Sequence, residues 1–310
     1  MSEPDKTLGE SLTIEDVLAS IPHWQGRITR FQPVGGGISN VNWRVWVDDE
    51  PGTFFVKIPG RGTELFINRD VSLEASLKAE AVGIGPRVHR LNTPHGVEVV
   101  DFIEGYQAAS NRDFLRPTVR EAVVRTYRKL HDSGLLSQTK TVFDMIEEHC
   151  AQIQQVGAIL PDRVLGLMEY YTQARLALEA AGMDLVPCFN DPMPGSFLLG
   201  AADDLILIDY EYASNNDRCY DLGAWSTEMF FDQAAEREII EAYFGTFDQR
   251  MFNRMTVYKV LADIKWTLWA MLQNTISTLD FDFYKYGVWK QIRARSIIDD
   301  PRWPHLLKDL

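Results

Sequence analysis

The stretch "PCFNDPMPGSFLLGAADDLILIDYEYA", residues 187–213, constrains the fold more than any other part of the chain. It sets Asp191 in a loop marked by Pro192, Pro194 and Gly195, then runs through a short Leu- and Ile-rich segment that ends at Asp209. A short, continuous apolar run of this kind is expected of a buried strand. The surrounding half reads as helix: "RPTVREAVVRTYRKLHDSG", "RVLGLMEYYTQARLALEAAG", "EREIIEAYFGTF" and a long segment over 254–278. The two aspartates therefore sit on a strand and loop embedded among helices.

The first part of the chain has the opposite character. "VNWRVWV" and "TFFVKI" alternate as half-buried strands do, and "GVEVVDFI" resembles a third. A short helix entered through Thr13 precedes them. Between them "DVSLEASLKAEAVG" is predicted helical, ending at Gly83. The expected organisation is a sheet-rich lobe over 1–104 joined near 104–106 to a helical lobe over 105–310. A chain of 310 residues is long enough for two lobes or one large domain.

Composition narrows the function classes. No uncharged apolar run approaches the roughly 18 residues needed to cross a bilayer, and the acidic start lacks the order of a signal peptide. A soluble cytoplasmic protein without membrane insertion is expected. Cys150, Cys188 and Cys219 are too scattered for a disulfide framework or a zinc site, and read as buried thiols. The net charge of −13 argues against nucleic acid and fits a small cationic substrate better. Whether the chain is a monomer or a homodimer is left open.

Ahead of the second strand, "PVGGGISNVNWRV" places Gly36 and Gly37 before Ser39 and Asn40. Such a loop can bring backbone N–H groups to an anion, and it can equally be a plain hairpin turn. Lys57, in "FFVKIPG", is placed where a cation can reach phosphate oxygens, and Glu74 on the next predicted helix can orient it. Taken singly, an exposed lysine and an exposed helical glutamate remain open readings. Phosphoryl transfer asks for one carboxylate to receive the proton of the accepting hydroxyl and others to hold Mg2+ against phosphates, and Asp191 and Asp209 can supply both.

At the other end, Val257, Leu261, Ile264, Leu268 and Met271 form one aliphatic seam of a helix, with Trp266, Trp269 and Gln273 on a different side. The indoles can serve as core packing or as ligand contacts. Phe281, Phe283, Tyr284 and Tyr286 follow, interspersed with acids. Aromatic faces with a carboxylate make the natural receptor for a quaternary ammonium, which is held by cation–π and charge attraction.

In this order, "GGGISNVNWRV", "VKIPGRGTELFINR", "GIGPRV", "VVDFIEG", "RKLHDSG", "FNDPMPGSF", "LILIDYEYASNNDRCYDLGAW" and "WTLWAMLQNTISTLDFDFYKYG" resemble the choline/ethanolamine kinase branch of the aminoglycoside-phosphotransferase-like family. The resemblance spans nearly the whole chain. It implies an α+β, protein-kinase-like two-lobe fold and the use of ATP and Mg2+ on the hydroxyl of choline or a related small amino alcohol. It implies that Asp191 is the catalytic carboxylate and Asp209, with Ser196, the metal site. It makes Lys57 and Glu74 the phosphate-side ion pair and 99–105, with Asp101 and Ile103, the hinge near the adenine. It implies an ammonium cage of Tyr212, Trp266, Trp269, Phe281 and Tyr286 with Glu228 opposing the charge, and reads His131 as structural.

The chain departs from the family pattern at two places: Phe189 stands where the loop usually has His, and Ser196 where it has Asn. A serine hydroxyl is shorter than the Asn carbonyl and reaches a metal only through a shift or a bridging water. Two alternatives therefore stand beside the kinase reading: a catalytically impaired protein that binds a quaternary ammonium or nucleotide without turnover, and a kinase of another cationic alcohol such as an aminoglycoside.

Overall fold

The computed structural model describes residues 12–35, 40–60, 63–277 and 279–310. The chain opens with helix α1 (Ile14–Ala19), whose first turn is closed by a capping box between Thr13 and Asp16. Strands β1 (Ile28–Val34), β2 (Asn40–Val47), β3 (Thr53–Pro59) and, after helix α2 (Arg69–Ala81), β4 (Glu98–Asp101) form one antiparallel sheet in sequential order. The alternation legible in β2 and β3 sends Val45, Val47, Phe54, Val56 and Ile58 to one face. There Ile14, Val17, Leu18 and Trp24 from the N-terminal segment cover them. Helix α2 starts at its Asn68 cap, and Gly83 follows its end with φ +69°.

The remainder is mostly helical: β5 (Gln107–Ala108), α3 (Pro117–His131), α4 (Val142–Val156), α5 (Asp162–Leu165), α6 (Leu167–Ala181), β6 (Leu185–Cys188), β7 (Phe197–Leu199), β8 (Leu205–Leu207), β9 (Ser214–Asp217), α7 (Arg218–Met229), α8 (Gln233–Phe244), α9 (Gln249–Ile276), α10 (Phe283–Ile298) and α11 (Trp303–Leu306). The three-stranded sheet β5-β7-β8 and the antiparallel pair β6-β9 flank the loop that carries Asp191. The fold is α+β, as expected. Among the described residues, no helix is long and apolar enough to cross a membrane.

Helix α9 is the axis of this half. Its predicted seam, Val257, Leu261, Ile264, Leu268 and Met271, is buried, but so are Trp266 and Trp269 on the other side. The helix is surrounded, so its core and its aromatic face both lie inside. Asp217 ties it to α7: the carboxylate caps the α7 N-terminus through Cys219 N–H at 3.0 Å and forms a buried pair with Arg254 of α9. The predicted "LILID" strand stops at Leu207, and Asp209 lies past its end with φ +72°. That conformation is open to an aspartate but unfavourable for most side chains, and it turns the carboxylate out of the strand direction.

Gly223 permits the closest approach of α7 to α9, because a Cβ there would lie 2.7 Å from the Met255 carbonyl and 3.1 Å from Lys259 N. Backbone on both sides leaves no flexible atom to yield. Gly223→Ala is expected to destabilise the protein by about 1–3 kcal/mol, read as a lowered midpoint in denaturant unfolding.

Candidate active site

The loop after β6 is held by Asp221, one turn into α7. Its Oδ2 accepts the Phe189 N–H at 2.7 Å and its Oδ1 accepts the Asn190 N–H at 2.7 Å, while His131 Nε2 lies 3.0 Å from Oδ2. His131 Nδ1 is 2.6 Å from the Tyr243 hydroxyl, so both ring nitrogens are engaged. Asn190 takes φ +67°; its Nδ2 donates to the Tyr212 carbonyl and to Ser214 Oγ, each at 2.8 Å, and its Oδ1 accepts from Asn216 at 3.0 Å. A buried carboxylate with paired N–H donors and a saturated Asn fix the backbone on both sides of the next residue. That residue is Asp191.

Phe189 points inward. It is fully buried, with its ring edge-on to Tyr210 at 5.4 Å and to Phe197 at 6.3 Å. The apolar ring thus belongs to the core beneath the loop, and the polar support a histidine would give comes from Asp221 and His131. His131, Cys188 and Asp221 also bring three potential metal ligands together. Every one is already hydrogen-bonded within the protein, the Cys188 thiol to the Asn216 carbonyl at 3.4 Å, so the cluster is structural.

The Asp191 carboxylate accepts no hydrogen bond from the described residues. Burial pushes its carboxyl up to about 7; Lys265 pulls it back, and Asp209 and Glu228 push in the same direction as burial. The Asp209 charge is thus near enough to be felt at Asp191. Asp209 is 43 % exposed yet lies among enough protein for burial to raise its carboxyl, with Lys57 at 3.1 Å opposing. Ser196 is brought alongside: its carbonyl accepts the Ile208 N–H at 2.9 Å, and its hydroxyl has no partner among the described residues.

Lys57 is nearly buried and lies 2.9 Å from Glu98, 3.1 Å from Asp209 and 3.6 Å from Glu211. Burial opposes its charge, and these carboxylates more than offset that. The expected partner Glu74 is not among them. The inward face of α2 carries Ser72, Ala75, Ser76 and Ala79, and Glu74 lies on the flank, where its carboxylate accepts the Ser137 N–H at 2.9 Å. The acid nearest Lys57 is instead Glu98, directly opposite it in the β3–β4 register and fastened by the Ser76 hydroxyl at 2.6 Å.

Asn40 donates to Glu211 at 2.9 Å, and Glu211 also pairs with Arg69, so both are engaged within the protein. Gly36, Gly37 and Ser39 lie outside the described residues. Asp101 turns its carboxylate to His89 at 2.6 Å, and Phe102 N–H binds the Thr53 carbonyl at 2.8 Å. Beyond it, half-buried Ile103 has no hydrogen bond among the described residues, so its backbone groups are open to solvent or to a ligand.

At the far end Tyr212, Trp266, Trp269 and Tyr286 come together as expected, with Phe283 as a further buried ring. They pack edge to face: Tyr212–Trp266 at 5.3 Å, Trp266–Trp269 at 5.4 Å and Trp269–Tyr286 at 6.1 Å. Phe281, at 6.1 Å from Tyr286, is 41 % exposed and forms the rim. The expected role of Glu228 needs correction. Its carboxylate is paired with Lys290 and, at 3.2 Å, with Arg293, and these cations keep it ionised against burial. It ties α7 to α10 rather than standing free as a counter-charge. The amines nearest the ring faces are the protein's own: Lys265 Nζ over Trp266 and Tyr212, and Lys290 Nζ 4.7 Å from the centre of the Tyr286 ring.

A hard divalent cation takes oxygen ligands. The Asp209 carboxylate beside Lys57, and the Ser196 hydroxyl on the residue bonded to Ile208, offer such oxygens, and this donor set fits Mg2+ better than a nitrogen- or sulfur-seeking metal. Glu98, Ser76, Asp221, Lys265 and the Lys290–Arg293 pair were not singled out from sequence. Only Asp221 carried a signal there, inside the "DLG" of a quoted motif.

The family model for choline/ethanolamine kinase matches residues 31–242. Ethanolamine kinase 1 of Mus musculus is 25 % identical over 306 residues, covering 86 % of this chain and 83 % of that protein. Choline/ethanolamine kinase of Homo sapiens is 23 % identical, covering 83 % and 77 %. The crystal structure of a choline/ethanolamine kinase family protein from Mesorhizobium loti is 28 % identical, with a TM-score of 0.81 over 94 % of this chain and 96 % of that one.

The raised Asp191 carboxyl has a measurable sign. Below about pH 4 the folded and unfolded chains both hold that proton; between there and about pH 7 the unfolded chain ionises while the folded one resists, so stability is lost as pH rises. Without added divalent ion, Asp191→Asn is expected to raise the melting temperature over the parent protein by a margin that widens from about pH 4 to about pH 8. A margin independent of pH is the opposite result.

Proposed function

Because the chain belongs to the choline/ethanolamine kinase family, whose model covers residues 31–242, we propose that it transfers the γ-phosphoryl group of ATP to the hydroxyl of choline or a close amino alcohol. The observation that carries this reading is the Asp191 carboxylate, without a hydrogen-bond partner among the described residues, held on a clamped loop within reach of the charge of Asp209, which pairs with Lys57. Asp191 accepts the hydroxyl proton as that oxygen forms its bond to the γ-phosphorus, and the bond to the β-phosphate oxygen breaks in line. Lys57, pre-aimed by Glu98, meets the phosphate oxygens. The Ile103 backbone would meet the adenine edge. Asp209 and Ser196 would hold Mg2+, which supplies charge neutralisation at the phosphates.

Purified protein with ATP, Mg2+ and either choline or ethanolamine is expected to form the phosphorylated alcohol and ADP. Asp191→Asn should lower kcat by about 10²–10⁴-fold. No product with Mg2+ or Mn2+ from any amino alcohol counts against the reading.

A second reading, a binder with impaired turnover, is favoured by Ser196 alone, since Phe189 serves the core. Under it, calorimetry detects ligand without catalysis. Ser196→Asn separates the two: a metal-site oxygen restored by the longer side chain raises a slow rate by about tenfold or more, whereas an unchanged rate leaves the working site to Asp209 and Asp191.

A further inference from the structure

Lys265 is fully buried in the middle of α9, and its Nζ has no hydrogen-bond partner among the described residues. It lies over the Trp266 ring, 2.9 Å from the ring centre, and over the Tyr212 ring at 4.3 Å. Both rings belong to the aromatic cage. The buried Tyr212 hydroxyl makes no hydrogen bond of good geometry among the described residues, although the Trp269 indole N–H, itself unpartnered, lies near enough to act on it. A buried, unpartnered amine loses its charge readily, and burial lowers the Lys265 ammonium well below its ordinary range against the opposing pull of Asp191. A neutral amine keeps a lone pair, and so does a tyrosine oxygen. Lys265 covers one face each of the Trp266 and Tyr212 rings, and the carboxylate of Glu228 is already matched by Lys290 and Arg293.

A trimethylammonium head has no N–H to donate and depends on free ring faces and a free counter-charge. A primary ammonium brings three N–H donors and needs fewer faces. We propose that Lys265 is the headgroup-selecting residue of this cage, acting with Tyr212 as a hydrogen-bond acceptor that favours a primary ammonium over a trimethylammonium. The proposal rests on the amino-alcohol reading given above and deepens it to an ethanolamine-like substrate.

The test is kcat/KM across ethanolamine, its mono- and dimethyl derivatives and choline, for the parent protein and for Lys265→Met. In the parent, kcat/KM falls with methylation by about tenfold or more overall, the scale of one buried hydrogen bond. In Lys265→Met the ratio between ethanolamine and choline drops to within about threefold. A parent that uses choline as well as ethanolamine, or a variant that keeps the parent ratio, overturns the proposal; an amine with a merely structural role gives the latter. If Lys265→Met does not fold, the parent series decides alone. If no amine is phosphorylated, the failure is that of the kinase reading, and calorimetry with ethanolamine and with tetramethylammonium takes over. Tighter ethanolamine binding then supports the selection; equal or tighter tetramethylammonium binding, or no binding of either ion, overturns it.

Discussion

The site depends on one buried carboxylate. Asp221 accepts two successive backbone N–H groups of the Asp191 loop and is itself met by His131. A loop that holds a residue at positive φ and ends in an acid with no hydrogen-bond partner among the described residues would relax if left to itself. The clamp makes that conformation the one in which the buried polar groups around it are satisfied, so strain at Asn190 is balanced by hydrogen bonds around it. It also explains why an apolar ring is tolerated at Phe189: the loop's polar anchoring enters from α3 and α7, and the Phe189 side chain is free to fill the core.

The same logic sets the other end of the cleft. Lys57 is nearly buried, and carboxylates from β4 and from the segment after β8 surround it, so the sheet and the helical half meet at one cation. Breaking one member of such a set leaves an uncompensated buried charge, whose cost is several kcal/mol. Asp209 shares Lys57 while facing the cleft, which couples the phosphate side to the Asp191 loop through charge rather than through packing.

Strands β2 and β3, helix α2 and the long α9 were legible because alternation, caps and apolar seams are local signals. Asp191, Asp209 and the aromatic group were legible as residue types in a recognisable order. The partner of Lys57 was not, because Glu74 and Glu98 are both plausible acids in sequence and only the β3–β4 register and the inward face of α2 distinguish them. Glu228 misled for a related reason: sequence shows an acid near the rings, but not that Lys290 and Arg293 arrive from α10 to neutralise it. Lys265 reads on paper as one charged residue on a helix. Its importance emerges only when α9 is seen to be enclosed on every side.

The strand origin of Glu98 has a bearing on control. Where a nucleotide-positioning lysine is matched by an acid on a mobile helix, swinging that helix outward disconnects the pair and turns the protein off. Here the acid is the lysine's neighbour across one ladder of hydrogen bonds, and α2 contributes only a serine hydroxyl behind it. Tilting α2 would strip that hydroxyl and leave the ion pair closed, so this architecture has no off position of that kind.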